Sequence, residues 1–264
     1  MHTGMVVVKI GGSTLGSHDT TLEDLVELQK QGKSLVVVHG GGRVTSEWLG
    51  RLGVPTSFAN GLRVTDDQAL KVVAATLGGL VNKELVVAIQ ALGGKVVGLS
   101  GCDGKLLWAT AKSPGLGYVG EVVTVDPAPL NLLSGAGYMP VIAPVSLGVV
   151  EGRTTLLNVN GDTAAGEIAV ALGAEKLVFL TDVDGIYDGS SRIIHRLNLA
   201  EARDLLVSGI ASGGMAPKLE ASLKALTVTQ EVHIIDGRIA HALLDDNAGL
   251  PQQTQLRGTA IVRQ

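Results

Sequence analysis

Short apolar runs recur along the chain, each stopped by glycine or by a polar cluster. Residues 6–10, 35–38, 95–99, 141–144, 176–180, 232–235 and 260–262 have this character and read as strands. Between them lie stretches with helical spacing of apolar positions, at 19–30, 44–52, 66–92, 127–136, 199–207 and 215–227. Residues 105–125 look different, with two β-like runs around a glycine-rich turn, and predict a hairpin. Strand and helix otherwise alternate almost throughout. That predicts an α/β fold: a three-layer αβα sandwich around a mostly parallel sheet. No low-complexity linker or composition shift divides the chain. Any division is therefore into two lobes on one continuous sheet, an N-lobe of about 1–165 and a C-lobe of about 166–264.

One stretch concentrates polar groups at a strand end. Thr154-Thr-Leu-Leu-Asn158-Val-Asn160-Gly-Asp162-Thr-Ala-Ala-Gly-Glu167 begins as a strand, turns polar, and continues as an alanine-rich helix to about Leu172. Asn160 or Asp162 is a suitable helix N-cap. A cap accounts for one of these residues and leaves two more amide or carboxylate side chains at the edge where open α/β sheets bind ligands.

Composition narrows the chemistry. The chain has 264 residues, 45% of them hydrophobic and only 3% aromatic, so a base-stacking nucleic-acid platform is not expected. A net charge of −4 also argues against nucleic acid as a partner. No secretory signal is visible at the start, and no apolar run approaches the length needed to span a bilayer, so a cytoplasmic protein is expected. The single Cys102 excludes an internal disulfide, and neither it nor the histidines show metal-ligand spacing.

The remaining candidates point to an anion. Lys9 interrupts an apolar strand just before Gly11-Gly12; a snorkelling lysine would explain it, but so would a phosphate. His39-Gly40-Gly41-Gly42 precedes a helix, and successive glycines let backbone N–H groups approach an anion; His39 itself reads as a turn hydrogen-bonder rather than a base. Arg63 lies in a loop, where a solvated side chain is the simpler account unless the substrate carries carboxylates. Lys218 follows Gly213-Gly214 in the first turn of a helix, where a cation is mildly unfavourable unless an anion sits beside it. A G-x-G-x-x-G occurs at Gly115–Gly120, but a strand-like run follows it, which is the wrong context for a dinucleotide site. Two lysines, two glycine turns, one aspartate and no nucleophile–base pair together describe phosphoryl transfer, which is mostly positioning and charge neutralisation.

The ordered set Val8-Lys9-Ile-Gly11-Gly12, Val38-His-Gly-Gly-Gly42, Asn60-Gly-Leu-Arg63-Val-Thr-Asp66, Leu157-Asn158-Val-Asn160-Gly-Asp162, Leu180-Thr181-Asp182-Val-Asp-Gly185 and Ser212-Gly-Gly-Met-Ala-Pro-Lys218 resembles the amino acid kinase family over nearly the whole chain. The Asn-Gly-Leu-Arg-Val-Thr-Asp loop is similar to the branch that phosphorylates N-acetyl-L-glutamate in arginine biosynthesis. The resemblance implies Lys9 and Lys218 at the γ-phosphoryl group, with Asp162 holding both. It implies Gly11 and Gly12 as amide donors to the nucleotide phosphates. Gly41, Gly42, Arg63, Asn158 and Asn160 would take N-acetyl-L-glutamate. Thr181, Asp182, Val183, Asp184, Gly185, Ile186 and Tyr187, with Ile210, Ala211 and Ser212, would frame ATP, and Mg2+ would arrive on the nucleotide phosphates with no protein metal site. Gly161 departs from the family's usual alanine. Two alternatives carry weight: a kinase for aminoadipate or glutamate on a carrier protein, disfavoured by the intact arginine loop, and a nucleotide sensor without turnover, disfavoured by the lysine pair. Arginine-inhibited members of the family carry an added N-terminal helix, so the short lead before the first strand predicts a homodimer without strong arginine feedback. The helix around residues 72–92 is the expected dimer element, through the stripe Leu70, Val73, Leu77, Leu80, Val81 and Leu85, a pattern that a doubly covered core helix would share.

Overall fold

The computed structural model describes residues 4–11, 20–59, 61–247 and 258–263. Gly12 and Asn60 of the motifs above lie outside the described residues. One eight-stranded sheet runs through the molecule in the order Arg196–Asn198, Thr259–Val262, Glu231–Asp236, Lys176–Thr181, Met5–Ile10, Ser34–His39, Met139–Ala143, Val96–Ser100. Every pairing is parallel except that between Glu231–Asp236 and Thr259–Val262. The predicted strands are all present, shifted by a residue or two at their ends.

Strand alternation divides the core into two layers. Val6, Val8 and Ile10 pack on one face with Leu25, Leu85, Ile89 and Leu243, so Thr21–Lys30, the helix ending at Ala91 and Ala242–Asn247 cover that side. Val7 faces the other way, with Ala165, Ile168, Leu219 and Ala225 from Gly161–Leu172 and Met215–Ala225. Burial on both faces explains why the central strands read as continuous apolar runs. Lys9 shares the face of Val7 and so points at the helix carrying Asp162.

Three elements differ from expectation. The predicted hairpin exists as Leu107–Ala111 and Val119–Val125, but Val145–Val150 and Arg153–Val159 join it to close a four-stranded unit. Gly115–Gly120 accordingly leads into a strand and not a helix. The helix Asp67–Ala91 spans 25 residues and is long and apolar enough to cross a bilayer, contrary to the expectation that no run is. It lies instead against the sheet, and it is wound as a π-helix over Ala74–Val81. Its stripe is no free surface either: Leu70, Val73, Leu77, Val81 and Leu85 are all buried within this chain, and Leu80 is half-buried. The stripe satisfies the chain's own core, which corrects its assignment as the dimer surface.

Candidate active site

Asp162 sits in the first turn of Gly161–Leu172 and is buried. Its Oδ1 lies 2.7 Å from Lys9 Nζ, an ion pair rather than a well-directed hydrogen bond. Its Oδ2 accepts a hydrogen bond from Lys218 Nζ at 3.1 Å. Burial alone would raise the Asp162 carboxyl; the two ammonium groups outweigh it and hold it below the ordinary carboxylate range. The helix N-terminus adds to this, since its dipole favours a negative charge. Lys218 also donates to the Gly214 carbonyl at 3.2 Å, which resolves the awkwardness of a cation in a first turn.

Two small residues set this triad. A Cβ built at Gly166 would lie 3.0 Å from both the Cβ and the carbonyl oxygen of Ala221, so helices Gly161–Leu172 and Met215–Ala225 touch backbone to backbone. Asp162 lies one turn before Gly166 and Lys218 just under one turn before Ala221. Close crossing at the small pair therefore brings the Asp162 carboxylate and the Lys218 ammonium group together.

The glycine turn after Ser34–His39 lies at the same sheet edge. Gly41 has φ +153°, and a Cβ there would meet Leu77 Cδ2 at 2.6 Å. Glycine is thus required by both conformation and the close approach of the π-wound helix. Gly42 opens the helix Gly42–Arg51, whose first N–H groups have no partner within the helix. His39 is fully buried, its Nδ1 2.7 Å from the Gly40 carbonyl and its Nε2 3.2 Å from Asn82 Nδ2. Burial pushes its pKa down to about 4, so it is a neutral turn-holder and not a general base. The expected phosphate donor Gly11 needs correction: its N–H completes the sheet ladder, donating to the Leu180 carbonyl at 2.9 Å.

Arg63 is buried with one edge anchored. Nη2 donates to the Gly42 carbonyl and to Ser46 Oγ, each at 2.8 Å, and the guanidinium lies 4.8 Å from the centre of the Phe58 ring. Nη1 is buried with no hydrogen-bond partner, an unmet donor of the kind a carboxylate satisfies. Asn158 Nδ2 donates to Thr65 Oγ1 at 3.0 Å. Asn160 is the N-cap: its Oδ1 accepts from the Asp162 and Thr163 amides at 2.8 and 3.1 Å, which leaves only its Nδ2 for a ligand.

A cavity of about 150 Å³ is lined by Val183, Gly185, Ile186, Tyr187, Ile210, Ala211, Ser212 and Met215, the last of which opens the helix that carries Lys218. The residues expected around the nucleotide thus converge, except three. Thr181 is buried at a strand end with its carbonyl accepting from Gly237, Asp182 follows it, and Asp184 is bonded by the Tyr187 hydroxyl. Met215 was not singled out from the sequence, although it directly follows Gly213-Gly214. Ser46 and Phe58 were not singled out from the sequence, because each matters only through its contact with Arg63.

Lysines from two elements converging on one buried aspartate suit the handling of phosphoryl groups, the chemistry of a small-molecule kinase. A profile of the amino acid kinase family matches residues 4–236, and the chain belongs to that family. Within it, the chain is 45% identical over 243 residues to the acetylglutamate kinase of Dehalococcoides mccartyi, spanning 91% of this chain and 89% of that one. It is 46% identical over 248 residues to the acetylglutamate kinase of Caldanaerobacter subterraneus, spanning 90% and 82%. A crystal structure of a Streptococcus mutans protein superposes with a TM-score of 0.82 at 27% identity, covering 98% of this chain and 99% of that one.

Proposed function

We propose that the chain catalyses ATP-dependent phosphorylation of the side-chain carboxylate of N-acetyl-L-glutamate, giving N-acetyl-L-glutamyl 5-phosphate on the way to arginine. The observation that carries the mechanism is the Lys9–Asp162–Lys218 arrangement. With Asp162 as their common counter-ion, the two ammonium groups flank the transferring phosphoryl and stabilise the charge spread over its oxygens. The acceptor is already a carboxylate at neutral pH, so no general base is required. Arg63, through its open Nη1, and Asn158 hold the acceptor in the N-lobe, beside the Gly41-Gly42 turn, with the remaining Nδ2 of Asn160 within the same rim. The cavity bounded by Val183–Tyr187 and Ile210–Ser212 takes ATP in the C-lobe.

Among the described residues no group of three His, Cys, Asp or Glu stands ready for a metal, and Asp162 is committed to its lysines. Mg2+ brought by the ATP phosphates would supply further neutralisation of their charge, with Lys9 and Lys218 acting on the transferring group. The same reading has the enzyme in the cytoplasm as a homodimer. The outward face of Asp67–Ala91, where Val87 is 66% exposed, supports that assembly in place of the buried stripe. Light scattering should give twice the chain's 27.1 kDa, and a monomer at micromolar concentration would refute the dimer.

The activity is tested by ATP-dependent hydroxamate formation with N-acetyl-L-glutamate, L-glutamate, L-aspartate and L-aminoadipate. N-acetyl-L-glutamate should be the preferred acceptor by a wide margin. Preference for any of the others would overturn the substrate, and ATP binding without turnover would favour a sensor.

A further inference from the structure

Thr65 is fully buried, and no role assigned above uses its hydroxyl. Oγ1 donates to the Arg63 carbonyl at 2.8 Å, and Asn158 Nδ2 lies 3.0 Å from the same oxygen. A hydroxyl has a single proton to give. With that proton on the Arg63 carbonyl, Oγ1 can meet Asn158 only as an acceptor. The amide group facing Thr65 is therefore the NH2, and the carbonyl Oδ1 is turned away from it.

The backbone keeps this arrangement in place. Thr65 N donates to the Leu116 carbonyl at 3.1 Å, Tyr118 N donates to the Thr65 carbonyl at 2.7 Å, and Asn158 N donates to the Tyr118 carbonyl at 2.9 Å. The arginine loop and the strand carrying Asn158 are thus tied through one hydroxyl and one intervening segment.

We propose that Thr65 is a positioning residue for the acceptor subsite: it locks the Asn158 side chain so that Oδ1, an acceptor, is the group offered to the substrate. The subsite then favours acceptors carrying an N–H, as an N-acylated amino acid does, over dicarboxylates that lack one. This rests on the reading that Arg63 and Asn158 hold the acceptor, and adds that the discrimination is set one residue behind them. Without the hydroxyl the amide is free to turn over and present NH2, which faces a substrate N–H donor against donor.

The test compares kcat/KM for N-acetyl-L-glutamate and for glutarate in the wild type, Thr65→Val and Thr65→Ser. The valine variant should lose about tenfold of the preference, through a raised KM for N-acetyl-L-glutamate, with kcat and the KM for ATP close to wild type. Serine keeps the hydroxyl and should restore the preference. Where the valine variant does not fold, Thr65→Ala serves with the same expectation. An unchanged preference in the variants lacking the hydroxyl, or a serine variant as impaired as they are, overturns the role of Thr65 while leaving the acceptor reading intact. A wild-type enzyme inactive on N-acetyl-L-glutamate would overturn the acceptor reading, and this inference with it.

Discussion

Asp162 has to remain ionised while almost out of water, and it does so because two lysines reach it from different elements. Removing either partner would leave an uncompensated buried charge, which is costlier than losing the pair. Arg63 is the complementary case: its anchored edge is satisfied and its other terminal nitrogen is not. Arg63→Ala should therefore raise the KM for N-acetyl-L-glutamate by roughly 10- to 100-fold and barely move the KM for ATP. A fall in ATP affinity instead would reverse the assignment of the two lobes. Lys9 was legible in the sequence because a lysine in a buried run needs a reason. Gly11 misled, because a glycine before a ligand site and a glycine finishing a sheet ladder look alike until the partner of its N–H is known. The unmet nitrogen of Arg63 was not legible at all, since it depends on Ser46 and Phe58 folding back onto it.

Among the elements, the crossing of Gly161–Leu172 and Met215–Ala225 is what brings Lys218 to Asp162. Gly166→Val would force these helices apart at their tightest point. It should cost about 1–3 kcal/mol of stability, and it should lower kcat by carrying Lys218 away from Asp162. Thermal unfolding and steady-state kinetics together check this; a variant with wild-type kcat would show that the crossing does not set the lysine. Long, regular elements were visible in the sequence from periodicity alone. Short strands were not: Val145–Val150 carries a glycine at Gly148 and gains its strand character from pairing with Arg153–Val159. The Ile186–Tyr187 and Ile193–Ile194 pair is too short for any period to register. The apolar stripe of Asp67–Ala91 showed that some face must be covered, but periodicity cannot say whether a second chain or the chain's own sheet covers it.

For the whole molecule, pH dependence follows from buried histidines of opposite sense. His39 has its pKa lowered from 6.5 to about 4, chiefly by burial. As pH falls from 6.5 towards 4, the unfolded chain takes up a proton that the folded chain refuses. Stability should therefore drop across that window, by on the order of 3 kcal/mol if the full shift is realised. His233 is raised: its burial is outweighed by Asp246 and Glu231, so its contribution is intact below 6.5 and is lost as pH rises through its folded value. Urea midpoints from pH 4.5 to 6.5 isolate the first effect from most carboxylate titration; a flat profile there would contradict a neutral, buried His39. In the proposed mechanism the sheet brings Lys9 from its middle strand and Lys218 from a covering helix onto one aspartate, so that both neutralise the transferring phosphoryl. The most direct measurement is kcat for ATP-dependent phosphorylation of N-acetyl-L-glutamate by Lys218→Ala. It should fall by about 10²-fold or more with the KM for ATP little changed, and near-normal turnover in that variant would remove Lys218 from the catalytic role.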